Sequence, residues 1–148
     1  MLWCSEVMKT RVAYCRESDP VMACARLMRE RNIGFLPVLD EQDEVVGILT
    51  DRDLALRVVA EDRAASTPVE LVMTRDVRVC RPEDDLQSVE RKMALSGKSR
   101  LVVVEDDGRC VGVISLSDVV GKESSTRAGD VLYAVSRHHD IPERSASS

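Results

Sequence analysis

The spacing of apolar residues near the start of the chain predicts an amphipathic helix. Its apolar stripe consists of Val21, Cys24, Ala25 and Met28, which follow one another at i, i+3, i+4 and i+7. Asp19-Pro20 stands directly before the stripe, so an aspartate N-cap followed by proline at the first helical position is expected. The helix is therefore predicted to begin after Asp19 and to bury one side.

Runs of apolar residues with the length of β-strands lie on both sides of this helix. The first covers residues 12–15, and two more cover residues 35–39 and 45–49. The acidic stretch 40–44 separates the latter two runs, which predicts a hairpin. A second helix is predicted to begin after Thr50, which gives the order β-α-β-β-α.

The same order of elements occurs a second time, 65 residues further along the chain. Val46-Gly47, for example, recurs as Val111-Gly112. When residues 7–56 are laid over residues 72–121 without a gap, 13 of the 50 positions are identical. An ungapped match of this length indicates a duplicated structural unit. Because a unit of about 50 residues buries too little apolar surface to be stable alone, the two copies are predicted to pack face to face.

The duplication divides the chain into two copies and a C-terminal extension. The first copy is predicted to cover residues 4–62 and the second residues 69–122, with a short linker between them. An additional helix is predicted over residues 126–138, where apolar residues again recur at helical spacing. Residues 139–148 carry little that could be buried and are predicted to be a disordered tail.

Composition and charge narrow the classes of function. Of the 148 residues, 44% are hydrophobic and 32% are charged, which is typical of a globular domain, and the net charge is -5. The acidic balance disfavours nucleic-acid binding. The longest aliphatic run, residues 101–104, is far shorter than the ~20 residues that cross a bilayer, and the N-terminus lacks the features of a secretory signal. We therefore expect no nucleic acid and no membrane as partners, and a cytoplasmic location.

The five cysteines are interpreted as reduced residues of the hydrophobic core. Their number is odd, they are widely spaced, and no C-x-x-C pair occurs. Cys15 and Cys80 occupy the same position in the two copies, and we interpret them as packing residues rather than nucleophiles. Both histidines, His138 and His139, lie near the C-terminus, away from any cysteine pair. The sequence therefore predicts no metal site.

A short motif follows the third predicted strand of each copy. Residues 47–53 and 112–118 both read G-h-h-[ST]-x-x-D, where h is an apolar residue. A hydroxyl followed three residues later by a carboxylate is a variant of the capping box at a helix N-terminus, which is a structural role. The same groups also flank backbone N–H groups that favour a phosphate, and they could hold ribose hydroxyls. The motif alone leaves both interpretations open.

Two ungapped β-α-β-β-α copies that end on this motif resemble a tandem pair of cystathionine β-synthase (CBS) domains, also called a Bateman module. The resemblance covers residues 4–122, and the string Thr-Asp-Arg-Asp at residues 50–53 is typical of short stand-alone bacterial members. It implies an α/β (α+β) fold in which the two copies pack around a pseudo-two-fold axis. It also implies two clefts that bind adenosine-containing ligands, namely AMP, ADP, ATP or S-adenosylmethionine.

The resemblance further implies a set of ligand-binding residues. Aspartates would hold ribose, hydroxyl residues would lie beside ribose or phosphate, and arginines would bind phosphate. Residues at the entry to the first strand and in the second strand would line the adenine pocket. In that order, these residues are Asp53 and Asp118; Thr50 and Ser115; Arg52 and Arg100; and Thr10, Arg11, Val12, Val77, Leu36, Pro37 and Val38. The second copy has Lys98-Ser99-Arg100 where the first has Ile33-Gly34-Phe35. We therefore expect the Asp53 site, with Arg52 and a wall of residues 36–38, to bind more tightly than the Asp118 site.

The leading hypothesis is a non-enzymatic sensor that uses no cofactor and acts, when its ligand is bound, on another, unidentified protein. Cationic residues near the motifs favour an adenine nucleotide over S-adenosylmethionine, whose sulfonium is itself positive. Two alternatives stay open: an S-adenosylmethionine sensor, and an interaction module in which the motif only caps helices. An enzyme is disfavoured because neither a Ser-His-Asp arrangement nor a Gly-rich phosphate loop occurs. The resemblance also implies a homodimer, formed through the apolar stripe of the first helix.

Overall fold

Two three-stranded sheets, one from each sequence copy, form the centre of the fold. In the first sheet β1 (Cys15–Arg16) is parallel to β2 (Phe35–Leu39), and β2 is antiparallel to β3 (Val45–Thr50). The second sheet repeats this order with β4 (Val79–Cys80), β5 (Arg100–Val104) and β6 (Cys110–Ser115). This computed structural model describes residues 1–121 and 125–138. The α/β (α+β) fold class and the duplication predicted from the sequence are confirmed.

Most helices occupy equivalent positions in the two copies, and the last one lies outside the duplication. They are α1 (Cys4–Val7), α2 (Val21–Arg31), α3 (Asp51–Asp53), α4 (Leu86–Ser96), α5 (Leu116–Val120) and α6 (Ser125–His138). α3 continues into a π-helical segment, Leu54–Val59, and a short 3-10 helix, Val69–Leu71, opens the second copy at the position that α1 holds in the first. The additional helix predicted over residues 126–138 is confirmed as α6. The tail predicted over residues 139–148 lies outside the described residues.

Two predicted boundaries in the first copy differ from the structure. β1 begins at Cys15, where its ladder with β2 starts, so residues 12–14 are not part of the strand. The Asp19 carboxylate does not cap α2, because its Oδ2 accepts a hydrogen bond from the Arg16 backbone N–H at 2.8 Å. That bond closes the turn between β1 and α2, and Pro20 holds the N-cap position instead.

Each hydrophobic core contains a segment from the other sequence copy. Cys4 is buried in the second core, among β4, β5, β6 and α4, where α6 adds Val131 and Val135. Val69 and Val72, which open the second copy, are buried in the first core. We call residues 3–9 and 68–74 the exchanged segments. Because of this exchange, neither core is complete without residues from the other copy.

The exchanged segments end in short backbone pairings with the third strand of the other sheet. Lys9 pairs with Val113 of β6, and Thr74 pairs with Ile48 of β3, in both cases through two N–H···O hydrogen bonds of 2.8–3.0 Å. The two pairings are related by the 65-residue offset. They place one polar side chain of each exchanged segment beside the sequence motif of the other copy.

The glycine of each motif is required by this close approach. A Cβ atom at Gly47 would lie 2.6 Å from the Met73 sulfur and 3.0 Å from the Thr74 carbonyl oxygen. A Cβ atom at Gly112 would lie 2.9 Å from the Lys9 carbonyl oxygen. Contacts of 2.6–3.0 Å are too short for a real Cβ atom, so a larger residue at either position would force the exchanged segment to shift away from the third strand.

The apolar stripe of α2 is buried inside the molecule. Val21, Cys24 and Met28 are at most 6% exposed and pack in the first core against β2 and β3. The expectation that this stripe forms a homodimer contact is therefore wrong, because α2 uses it to cover the sheet of its own copy.

Candidate functional site

Two clefts lie between the copies and are related by the 65-residue offset. The Asp53 cleft is a cavity of about 500 Å³ next to the motif of the first copy. The Asp118 cleft is a cavity of about 180 Å³ next to the motif of the second copy. Each cleft combines motif residues of one copy with turn or strand residues of the other, and Phe35 and Arg100 line both.

Most of the side chains that line the Asp53 cleft are polar or charged. The first copy contributes Thr50, Arg52 and Asp53, and the second contributes residues 97–100 at the start of β5. Thr74 of the exchanged segment lies beside Asp53. The other side chains that reach this cleft are Phe35, Ile48, Asp51, Leu56 and Arg57.

The Asp118 cleft has an apolar wall and a cationic side. Ser115, Ser117 and Asp118 come from the second copy. The wall consists of Val12, Ala13, Ile33, Phe35, Pro37 and Val113. The cations are Lys9, Arg11 and Arg100.

The structure separates residues that were expected to share one site. Pro37 lines the Asp118 cleft, whereas Arg52 and Asp53 line the other cleft. Leu36 and Val38 line neither cleft, because alternate residues of a strand point to opposite faces and these two side chains are fully buried in the first core. The expectation that the Asp53 site possesses a wall of residues 36–38 is therefore wrong.

Two other expected residues lie outside both clefts. Thr10 lines a neighbouring cavity of about 190 Å³ together with Tyr14 and Asp43. Val77 is half-buried in the apolar contact between the two sheets, although its counterpart Val12 does line the Asp118 cleft. The two clefts are therefore not equivalent in their lining.

Both motifs form complete capping boxes. The Thr50 Oγ1 accepts a hydrogen bond from the Asp53 backbone N–H at 3.1 Å, and the Asp53 Oδ2 accepts one from the Thr50 N–H at 3.0 Å. The same two bonds join Ser115 and Asp118 at 3.2 and 2.9 Å. The structural interpretation of the motif is therefore confirmed in each copy, and any ligand contact must use the groups that capping leaves available.

Beyond the capping bonds, the two aspartates differ in the partners of their carboxylate oxygens. The Thr74 hydroxyl donates to Asp53, 3.0 Å from Oδ1 and 3.2 Å from Oδ2, and the Arg57 Nε lies 3.8 Å from Oδ1. The nearest cation to the Asp118 Oδ1 is the Lys9 Nζ, at 4.0 Å. Within the described part of the chain, no hydrogen bond reaches that Asp118 oxygen. Asp118 therefore has an acceptor available in its cleft, whereas both oxygens of Asp53 are already engaged.

Several cleft residues were not identified from the sequence. Lys9 and Thr74 belong to the exchanged segments, whose pairing with the other copy is not visible in a local apolar pattern. Phe35, Ile33 and Ser117 also line a cleft. The signal that could have identified Phe35 is its place at i-2 from Pro37, on the same face of β2.

The cysteines are packing residues. All five are free thiols, and Cys4, Cys15, Cys24 and Cys80 are at most 2% exposed. The neighbouring Cys24 thiol and burial raise the pKa of Cys15, and the neighbouring Cys4 thiol and burial raise the pKa of Cys80. A raised pKa keeps both as neutral thiols, which are poor nucleophiles. Among the described residues, no group of three or more His, Cys, Asp or Glu side chains is placed to hold a metal ion.

Comparison with known proteins identifies the family. The CBS domain model matches residues 4–60 and residues 69–125. The chain belongs to the CBS domain family. As a CBS pair it is 36% identical over 137 residues to the CBS domain-containing protein YhcV of Bacillus subtilis, and the match covers 92% of this chain and 96% of YhcV.

Solved CBS pairs show the same fold with bound ligands. The CBS pair of protein MJ0100, in complex with 5'-methylthioadenosine and S-adenosylmethionine, is 26% identical, with a TM-score of 0.74; the match covers 83% of this chain and 99% of that one. CBSX2 in complex with AMP is 25% identical, with a TM-score of 0.71; the match covers 82% of this chain and 95% of that one. In the described part of this CBS pair, no helix combines the length and apolarity needed to cross a membrane.

Proposed function

We propose that this CBS pair is a regulatory module, without a catalytic step of its own, that binds an adenine nucleotide in the Asp118 cleft. The observation that carries the proposal is the Asp118 Oδ1, which capping leaves available beside an apolar wall and three cations. A nucleoside phosphate matches all three features, because its base, its ribose and its phosphate suit the wall, the carboxylate and the cations respectively.

The apolar wall fits the base. Val12, Ile33 and Pro37 present aliphatic surface on one side of the cleft, and Phe35 adds an aromatic ring. A planar purine buries apolar area well against such a surface. The cavity of about 180 Å³ is smaller than the ~300 Å³ at the lower end of small-molecule sites, so we expect part of the nucleotide to extend beyond it.

The carboxylate and the cations fit the ribose and the phosphate. The Asp118 Oδ1 can accept a hydrogen bond from a ribose hydroxyl while Oδ2 keeps its bond to the Ser115 N–H. Lys9, Arg11 and Arg100 supply positive charge for phosphate oxygens. The same three cations disfavour the positive sulfonium of S-adenosylmethionine, so we propose AMP, ADP or ATP as the ligand.

The related structures support an adenosine-containing ligand. MJ0100 was crystallised with two thioadenosine compounds and CBSX2 with AMP. An adenosine moiety is common to all three ligands. We propose that the bound form of this chain regulates another protein, since its relatives are CBS domain proteins and the solved CBS pairs hold adenosine-containing ligands.

Titration calorimetry tests the proposal on the wild-type chain. Adenosine, AMP, ADP, ATP and S-adenosylmethionine are compared at one ionic strength, and we expect tighter binding of at least one nucleotide than of S-adenosylmethionine. Tighter binding of S-adenosylmethionine than of every nucleotide would assign the site to that ligand instead. Absence of binding by all five compounds would leave the capping box as the whole meaning of the motif, as in a pure interaction module.

A further inference from the structure

We propose that Cys4 and Cys80 are a redox-active pair, which a hydroperoxide converts into a disulfide that links the first exchanged segment to the second copy. Their sulfur atoms lie 3.7 Å apart, and both side chains are fully buried. Cys4 lies on α1, and Cys80 lies on β4, 76 residues further along the chain. Neither cysteine lines either cleft, so the pair does not depend on nucleotide binding.

The duplication shows that packing alone does not require this pair. Cys15 is the counterpart of Cys80 in the first copy, but the counterpart of Cys4 is Val69. Val69 is buried in the first core together with Cys15, as Cys4 is buried in the second core together with Cys80. An aliphatic side chain therefore fills this position of the fold. The second core has a thiol there instead, in contact with another thiol.

The two sulfur atoms are close enough to form a bond with little rearrangement. At 3.7 Å they are in van der Waals contact, and a disulfide requires ~2.05 Å, so each sulfur must move by less than ~1 Å. Rotation about the Cα–Cβ bond moves the sulfur of a cysteine. In addition, α1 has only four residues, so its backbone can follow the Cys4 sulfur more easily than a long helix could.

Local opening of the exchanged segment gives an oxidant access to the pair. Cys4 is the one fully buried residue of the segment 3–9, and its neighbours Trp3 and Ser5 are exposed. A segment with a single buried side chain and a four-residue helix opens at a lower free energy than the strands of the core. Cys4 is therefore the thiol that meets the oxidant first.

The reaction balances with hydrogen peroxide as the oxidant. The Cys4 thiolate attacks one peroxide oxygen and the O–O bond breaks, which leaves a sulfenic acid on Cys4; the departing hydroxide takes the proton that the thiol lost and becomes water. The Cys80 sulfur then attacks the Cys4 sulfur. The S–S bond forms as the S–O bond breaks, and the hydroxyl leaves with the Cys80 proton as a second water. The two thiols lose two electrons, and the peroxide accepts them.

The surroundings of the two thiols support this order of steps. A hydrogen bond with the Cys80 thiol lowers the pKa of Cys4, and the Lys92 ammonium acts in the same direction. Burial and the Asp84 carboxylate oppose this shift without reversing it. The neighbouring Cys4 thiol and burial raise the pKa of Cys80. Cys4 is therefore the thiol that ionises more readily, and Cys80 is the thiol that resolves the sulfenic acid.

The disulfide has a consequence for the exchanged segment. It closes a loop between residues 76 positions apart, which removes conformations from the unfolded chain and stabilises the fold. It also prevents the opening of the segment 3–9, whose Lys9 lies 4.0 Å from the Asp118 carboxylate. Oxidation therefore holds Lys9 in its place beside Asp118.

Treatment of the wild-type chain with hydrogen peroxide, followed by alkylation of the remaining thiols, tests the proposal. Mass spectrometry should show the loss of two hydrogens and a peptide in which Cys4 and Cys80 are linked. We expect the urea midpoint of the oxidised chain to rise by at least ~1 M and to return on reduction with dithiothreitol. Hydrogen exchange of the amides of residues 4–9 should slow at least ~10-fold in the oxidised chain.

Two variants separate the proposed pair from the other thiols. Cys4→Val removes the first thiol and introduces the residue that the equivalent position holds in the first copy, so the chain should fold. We expect this variant to form no crosslink and to show no rise in urea midpoint after peroxide treatment. Cys15→Ala is the matched control, because it removes the counterpart of Cys80 from the first core. Its yield of the Cys4–Cys80 disulfide should stay within ~2-fold of that of the wild-type chain.

Three results would overturn the proposal. The first is a peroxide-treated wild-type chain that contains no linked peptide. The second is a disulfide that joins other cysteines, such as Cys15 and Cys24, in place of Cys4 and Cys80. The third is an equal rise in urea midpoint in Cys4→Val, which would mean that peroxide stabilises the chain without this bond.

Discussion

At the scale of single residues, one side chain decides what each motif can do. The two motifs form the same capping box, but the exchanged segment presents Thr74 to Asp53 and Lys9 to Asp118. A threonine hydroxyl at 3.0 Å uses an acceptor, whereas an ammonium at 4.0 Å leaves that acceptor available and adds a charge for a phosphate. Two copies of the same motif pattern therefore support different chemistry.

The first prediction concerns the two aspartates. In Asp118→Asn the amide oxygen can keep the bond from the Ser115 N–H, but the amide nitrogen then faces the cleft and cannot accept from ribose. We expect AMP binding to weaken at least ~10-fold, which corresponds to ~1.4 kcal/mol. Asp53→Asn should leave AMP affinity unchanged. Calorimetry on variants with wild-type circular dichroism measures both effects, and a larger loss in Asp53→Asn would reverse the assignment of the sites.

The second prediction concerns the Thr74 hydroxyl. Thr74→Val has nearly the same shape but removes the donor from the buried carboxylate of Asp53, which is 7% exposed. Leaving a buried acceptor without this bond should lower the free energy of unfolding by ~1–3 kcal/mol. Urea denaturation measures the change, with Thr74→Ser as the control that keeps the hydroxyl. Equal stability of the valine variant and the wild-type chain would show that Asp53 does not need this bond.

At the scale of elements, the exchanged segments and the third strands depend on each other. Gly47 and Gly112 lie in β3 and β6, where the backbone of the other copy's exchanged segment crosses. The crossing also places Lys9 and Thr74 in the clefts. One contact thus holds the copies together and positions cleft residues.

The third prediction tests this crossing. Gly47→Ala places a Cβ 2.6 Å from the Met73 sulfur and 3.0 Å from the Thr74 carbonyl oxygen, and that backbone atom cannot move aside as a side chain can. We expect the free energy of unfolding to fall by ~1–3 kcal/mol through overpacking. Gly129→Ala in α6 is the control, because its Cβ meets nothing within 4 Å. Urea denaturation compares the two variants. Equal free energies of unfolding would contradict the close approach of the exchanged segment to β3.

The sequence was informative where structure follows from local pattern. The α2 stripe predicted a helix that exists, the runs at residues 35–39 and 45–49 are paired strands, and the offset of 65 relates the copies in space. Local pattern does not specify partners, however. Val69 and Val72 would fit the apolar core of either copy, so the sequence did not show which core they enter. The grouping of Pro37 with Asp118 in one cleft was unpredictable for the same reason.

At the scale of the whole molecule, the buried α2 stripe excludes the expected dimer contact. The expectation of a homodimer does not depend on that contact, because it follows from the family resemblance. We predict twice the 16.4 kDa chain mass for the wild-type chain. Light scattering at micromolar concentration measures it. A mass of 16.4 kDa would show a monomer.

The last prediction concerns cooperativity of unfolding. Because each core contains a segment of the other copy, loss of one core removes packing from the other, and the two copies should unfold in a single transition. Trp3, the single tryptophan, pairs with Asp85 at the edge of the second core, so its fluorescence reports on that copy. Circular dichroism reports on both copies. We expect the two urea transitions to coincide.

Gly47→Ala, which perturbs the first core, makes this test of coupled unfolding stricter. Met73, which the added Cβ of Gly47→Ala would displace, packs in the first core, whereas Trp3 lies at the second. If the copies unfold together, the Trp3 transition must shift to lower urea by the same amount as the circular dichroism transition. An unchanged Trp3 midpoint beside a lowered circular dichroism midpoint would mean that the copies unfold independently. The exchange of segments would then contribute little to the coupling between the two copies.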